Sequence, residues 1–129
     1  MPLEDIQRER LGKLERYEAA GRDPYPASVR RTFLIGNVVK KLAALSKVKK
    51  NVSLVGRLRA WREHGGLAFG DLEDGSGSIQ LSFSRGDLKG EYDLARDVLD
   101  IGDFLEVAGS PFKTKRGEPT LNVSAWRII

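Results

Sequence analysis

Before residue 50 the apolar residues recur every three or four positions; after it they recur every second one. The chain therefore passes from a helical to an extended period near Asn51. In the leading segment, Leu3, Ile6, Leu14 and Tyr17 share one stripe, with Leu11 beside it, and this spacing predicts an amphipathic helix. Glu4 and Asp5 suit the positive end of its dipole, and Gly21 is a stop signal. "RDPYPAS" (22–28) forbids continuation, because each proline lacks an N–H and holds its predecessor extended. Ile35, Val38, Val39, Leu42 and Leu45 predict a second, shorter helix over Leu34–Ser46, and "KVKKN" follows as a polar link.

The alternating part divides into three strands, a helix and two strands. "VSLVGRLRAWR" sets Val52, Leu54, Gly56, Leu58 and Ala60 on one face and Val55, Arg57, Arg59 and Trp61 on the other. "EHGG" turns the chain. "LAFGDL" then opposes Ala68, Gly70 and Leu72 to Leu67, Phe69 and Asp71, and "EDGSG" turns it again. In "SIQLSF", Ile79, Leu81 and Phe83 oppose Ser78, Gln80 and Ser82. Leu88, Tyr92, Ala95 and Leu99, supported by Val98, form a helical stripe that "DIGD" ends. "FLEVAGSPF" and "TLNVSAW" are the last strands, joined by "KTKRGEP". That order predicts a five-stranded OB barrel (51–129) behind a helical extension (1–50), with the inner helix plugging one end. An SH3-like barrel has no comparable helix after its third strand. Gly56 and Gly70, on the inward face, relieve the coiling that a small barrel demands.

Composition narrows the function classes. The 129 residues fit one domain, and 40% hydrophobic residues supply a core. Without cysteine there is no disulfide framework, thiolate metal site or thiol nucleophile. No apolar run approaches the roughly 20 residues of a membrane span, and the mixed-charge N-terminus does not read as a signal peptide. A soluble, cytoplasmic protein with no membrane partner is expected. The net charge of +4 is uneven: residues 1–50 hold 12 Lys/Arg against 6 Asp/Glu, and residues 51–129 hold 10 against 12. The leading segment can thus attract a polyanion, or can simply present a solvated helix face.

Catalytic and metal-binding signals are missing. "GDLEDG" lacks the oxygen spacing and closing glutamate of a calcium loop. "GSGSIQL" enters a strand, so it is no pyrophosphate cradle. His64 is the single histidine and reads as an exposed turn residue. The outward face is more informative: it combines Arg57, Arg59 and Trp61 with Leu67, Phe69, Ser78, Gln80 and Ser82. A ring can cover the π face of an unstacked base, an amide can read its edge, and guanidinium groups can meet phosphate or carbonyl. The competing reading covers Phe69 with the N-terminal helices or a partner protein. Trp61, at a strand end, either joins the binding face or caps the barrel.

From about Arg8 to its end, the chain resembles the N-terminal anticodon-binding domain of class II lysyl-tRNA synthetases. The resemblance rests on "KLERYEAAGRDPYP", "VGRLRAWREHGGLAFGDLEDGSGSIQL", "RGDL" and "DIGDFLEVAGSPFKTKRGEPTLNV". The middle pattern is common to the aspartyl, asparaginyl and lysyl enzymes; "DPYP" and "FKTKRGE" resemble the lysyl branch. The resemblance implies that Phe69 stacks on the middle anticodon base, a uridine. It also implies that Gln80 reads that base's edge with Arg57 beside it, and that Glu118 helps recognise anticodon uridines. Arg59, Arg62, Lys113, Lys115 and Arg116 are candidate backbone contacts by position and charge. Two positions depart from the pattern: Gly66 stands where a lysine is usual, and Pro119 where an aliphatic is. The partner implied is a lysine tRNA, with a homodimer for the full-length parent. ATP and Mg2+ are expected only in a catalytic domain that this chain lacks, so the chain alone is not expected to aminoacylate tRNA and reads as one domain of a longer synthetase. The alternatives are a protein-interaction or dimerisation module and a general single-strand binder.

Overall fold

Five strands turn their alternate apolar residues onto one axis and close around it. The structure, a computed structural model, describes residues 3–22 and 31–129. The strands are β1 (Val52–His64), β2 (Leu67–Asp74), β3 (Gly77–Ser84), β4 (Phe104–Lys113) and β5 (Pro119–Ile128). They form a closed barrel in the order β1-β2-β3-β5-β4, with β4 pairing back onto β1. All neighbours are antiparallel except β3 and β5. This is the OB barrel that the strand–helix order predicts. Leu54, Leu58, Leu72, Leu81, Phe83 and Leu105 are completely buried inside it, and each such side chain contributes roughly 1.5–3 kcal/mol relative to exposure. Gly70 and Gly56 stand where a side chain would collide with the neighbouring strand. A Cβ at Gly70 would meet Leu58 Cδ1 at 2.9 Å, and one at Gly56 the Glu73 carbonyl oxygen at 2.7 Å.

One expectation fails inside β1. Its pairing with β2 slips between Leu58 and Ala60, so Arg59 is a bulge and the alternation changes sign after it. Trp61 pairs with the inward Gly70, and its ring lies 5.1 Å from that of the buried Phe83. Trp61 therefore packs on the core instead of joining the outward face. Ala60, expected inside, pairs with the outward Asp71, and Arg62 with Phe69.

The helices are α1 (Leu3–Ala19), α2 (Ile35–Lys40), α3 (Leu42–Lys47), α4 (Arg85–Leu88) and α5 (Gly90–Val98). Both helices expected after the first are split. Lys41 (φ −100°, ψ 16°) divides α2 from α3, and Lys89 adopts a left-handed φ of 55° between α4 and α5. Leu88 and Tyr92 are buried on either side of that break. The Tyr92 hydroxyl donates to the Gly65 carbonyl at 3.2 Å, tying the plug to the β1–β2 turn.

α1 departs furthest from its sequence pattern. Of its apolar stripe only Tyr17 is buried; Leu3, Ile6 and Leu11 are exposed. The helix is attached from Arg10 onward. The Ile128 N–H donates to the Tyr17 hydroxyl at 2.9 Å, and the Tyr17 and Trp126 rings lie 6.0 Å apart. Polar links add to this: Arg10 meets Asp100 at 3.0 Å and Asp103 at 2.8 Å, and Lys13 also bonds Asp100. Arg22 pairs with Glu91, donates to the Trp126 carbonyl at 2.6 Å, and lies over the Trp126 ring at 4.9 Å. Gly21, with φ 82°, stands just beyond the helix as expected. "DPYP" lies outside the described residues.

α2 and α3 pack on β3 and β4. Asp74, at the end of β2, holds α2 in place. Its Oδ2 accepts the Ile35 N–H at 2.9 Å, while Oδ1 accepts the Ser76 and Gly77 N–H groups at 2.7 and 3.1 Å. Burial pushes the Asp74 carboxyl up, but the Ser76 hydroxyl and the three N–H donors outweigh it and leave its pKa lowered.

Candidate nucleic-acid interface

The bulge at Arg59 carries Arg62 to the outer surface directly across from Phe69. Phe69 is half-buried, points away from the barrel axis, and is absent from the core cluster. It lines a cleft of about 440 Å³ together with Arg62, His64, Gln80, Thr114, Lys115, Arg116 and Glu118. No residue of α1, α2 or α3 borders the cleft, so the leading helices do not cover the ring. The volume lies within the ordinary range of small-ligand sites.

Three strands supply the floor. Arg62 Nη2 donates to Gln80 Oε1 at 3.2 Å and to Asp71 Oδ1 at 3.3 Å, reaching from β1 over β2 to β3. The Gln80 amide nitrogen donates to Thr120 Oγ1 at 3.1 Å, and that hydroxyl donates to the Glu118 carbonyl at 3.1 Å. Thr120 is fully buried, so the chain of bonds fixes the amide with its oxygen toward Arg62. Each end of the amide keeps capacity for one further bond.

The β4–β5 loop makes the wall. Thr114 and Glu118 clasp it shut: the Thr114 N–H donates to the Glu118 carbonyl, and the Glu118 N–H to the Thr114 hydroxyl, both at 3.0 Å. Gly117 takes the left-handed position with φ 86°. Glu118, Lys115 and Arg116 are exposed, and among the described residues their charged groups have no partner. The Glu118 backbone is thus fixed while its carboxylate is available.

Six of the nine candidate residues meet here: Phe69, Gln80, Arg62, Lys115, Arg116 and Glu118. The other three do not. Arg57 pairs with Glu73 at the far end of β2, donates to the Gly102 carbonyl at 3.1 Å, and lies 5.3 Å over the Phe104 ring. Arg62, not Arg57, is therefore the guanidinium beside Gln80. Arg59 is exposed on the bulge. Lys113 pairs with Pro119 and faces the opposite side of the loop. Sequence reasoning missed His64 and Thr114 as lining residues. His64 is two positions from Arg62 and shares its face, which a recognised bulge would have revealed.

The electrostatic expectation for the leading segment also changes. Arg10, Lys13 and Arg22 are engaged by Asp100, Asp103 and Glu91. Among the described residues, Lys40, Lys41, Lys47, Lys49 and Lys50 form no ion pair. Lysines free of ion pairs are thus gathered on and after α2, while on α1 Arg16 is the basic residue outside any ion pair among the described residues. No helix among the described residues is long and apolar enough to cross a membrane.

A model of the tRNA anti-codon family, described as an OB-fold nucleic acid binding domain, matches residues 52–129. Over its whole length the chain is 44% identical to a lysine–tRNA ligase of Roseiflexus castenholzii and 46% identical to one of Roseiflexus sp.. Over 96% of its length it is 37% identical to a lysine–tRNA ligase of Clostridium novyi. The chain spans 27% of each Roseiflexus protein and 24% of the Clostridium one.

Proposed function

The chain belongs to the tRNA anti-codon family of OB-fold nucleic acid binding domains, and we propose that its cleft reads the anticodon of a lysine tRNA for a lysine–tRNA ligase. The observation that carries this reading is the convergence of Phe69, Gln80 and Arg62 on one surface that the described helices leave open. Stacking on the Phe69 ring holds an extruded base without discriminating among bases. Discrimination falls to the polar pair. The Watson–Crick edge of uridine runs acceptor, donor, acceptor: O4, N3–H, O2. Gln80 Oε1 accepts from N3–H, its amide nitrogen donates to one carbonyl oxygen, and Arg62 donates to the other. Cytidine turns the first two of these around, with an amino donor and an unprotonated N3, so Gln80 Oε1 faces the N3 lone pair and whichever donor met O4 faces the amino group. A uridine at the middle position fits this cleft. Glu118, with Lys115 and Arg116, stands where a flanking base and its phosphates pass.

A titration with anticodon stem-loops tests the reading. Loops carrying lysine, asparagine and aspartate anticodons share the middle uridine and should all bind. A middle cytidine should weaken binding about tenfold to a hundredfold, the scale of one lost bidentate contact. Equal affinity for uridine and cytidine would identify a general single-strand binder instead.

A second reading, self-association, has its own observation on a different surface. Ile6 and Ile101 are 48% and 64% exposed and line one groove between α1 and the turn before β4. A second copy of the chain could bury them without touching Phe69. Sedimentation of the wild type against Ile101→Asp decides it: a dimer dissociated by the substitution supports this reading, and a monomer in both removes it.

A further inference from the structure

On the far side of the β4–β5 loop lies another groove, of about 640 Å³, lined by residues of α2 and α3 and by Lys113, Gly117 and Pro119. Its floor is apolar, formed by Val39, Leu42, Ala43 and Pro119. Its rim carries Lys40, Lys47 and Lys113, all exposed, and among the described residues no acidic one borders it. Among the described residues none of these three lysines forms an ion pair. Three uncompensated cations around an apolar floor match an anion with a flat apolar appendage, which describes a nucleotide.

The groove is separated from the Phe69 cleft only by the loop itself. Thr114, Lys115, Arg116 and Glu118 border one side, and Lys113, Gly117 and Pro119 the other. Strands in a hairpin are about 5 Å apart, so a single RNA strand can cross this wall. We propose that the α2–α3 groove holds a nucleotide next to the bases read by the Phe69 cleft, its phosphate on Lys40, Lys47 and Lys113 and its base on the apolar floor. The inference rests on the proposed reading of that cleft. It assigns the positive charge after α2 to the RNA backbone, and it gives Asp74 a second consequence, because the Asp74 bond to Ile35 positions the helix that forms the groove.

The test pairs Lys40→Ala/Lys47→Ala with Phe69→Ala, using anticodon stem-loops with uridine or cytidine at the middle position. Thermal unfolding of the double variant should match the wild type, since both lysines are exposed. It should bind either loop about tenfold more weakly, with a salt slope shallower by about 0.7, one phosphate contact. Its uridine-to-cytidine preference should be unchanged. Lys40→Glu/Lys47→Glu should weaken binding further. If the lysine variants keep wild-type affinity and slope while Phe69→Ala loses affinity, the groove does not hold RNA, though the cleft still does. If Phe69→Ala changes nothing, the reading of the cleft fails and this inference fails with it.

Discussion

Arg62 and Gln80 meet 3.2 Å apart across the intervening strand, one from β1 and the other from β3. That contact exists because the chain gains one residue at Arg59 and thereby exchanges which side chains of β1 face outward. It makes Arg62 the guanidinium whose removal should matter. Arg62→Ala is expected to weaken stem-loop binding about tenfold to a hundredfold. Arg62→Lys should restore only part of this, because an ammonium lacks the planar fork. Arg57→Ala, which among the described residues removes the Gly102 and Phe104 contacts, should change affinity less than about threefold. Isothermal titration of the three variants checks the order; a larger loss at Arg57 than at Arg62 would reverse the assignment.

Phe69 makes a separable contribution. Stacking of one base on one ring contributes roughly 1–3 kcal/mol, so Phe69→Ala should raise Kd about tenfold to a hundredfold, and Phe69→Tyr should stay near wild type. The same substitution should leave thermal stability almost unchanged, because the ring stands outside the core cluster. Loss of stability together with affinity would make Phe69 a packing residue.

Asp74 links the barrel to α2 through a carboxyl whose pKa is lowered in the folded protein. A group of this kind stabilises the fold above its unfolded pKa, and the contribution disappears as pH falls through the lower, folded value. Asp74→Ala should therefore cost about 0.5–2 kcal/mol near neutrality, the scale of a lost helix cap. The gap between variant and wild type should close below the ordinary carboxylate range. Urea unfolding at a series of pH values measures it; a gap independent of pH would mean that the ionised form is not what α2 needs.

Tyr17 is the buried anchor of α1, and its hydroxyl accepts the Ile128 N–H. Tyr17→Phe leaves that donor unpaired in the interior, at a cost of about 1–3 kcal/mol. The Tm should drop by several degrees while stem-loop affinity is kept, since α1 does not border the cleft. An affinity loss without a change in Tm would bring α1 into the binding surface.

The sequence is legible where local chemistry and packing agree. Alternation in β2 and β3 faces water on one side and core on the other, so Phe69 and Gln80 can be placed from it directly. β1 is different: "RLRAWR" alternates polar and apolar residues just as well with the bulge as without it, and only pairing with β2 selects the slipped register. That hidden residue explains both the inward Trp61 and the exchange of Arg57 for Arg62. The stripe of α1 overstates its burial for another reason. Periodicity marks a possible face, but only Tyr17 finds a core to enter. The left-handed turn at Lys89 has no composition signal, because lysine rarely adopts that conformation. Nothing local distinguishes Glu118 from any acid beside a turn, and the Thr114 clasp that fixes its backbone is formed only by the folded loop.

The most direct test locates the base itself. An anticodon stem-loop with 5-iodouridine at the middle position should, on irradiation, crosslink to Phe69, the ring stacked on it, and the crosslink should vanish in Phe69→Ala. A crosslink that maps to another residue, or that persists without the ring, would contradict the account.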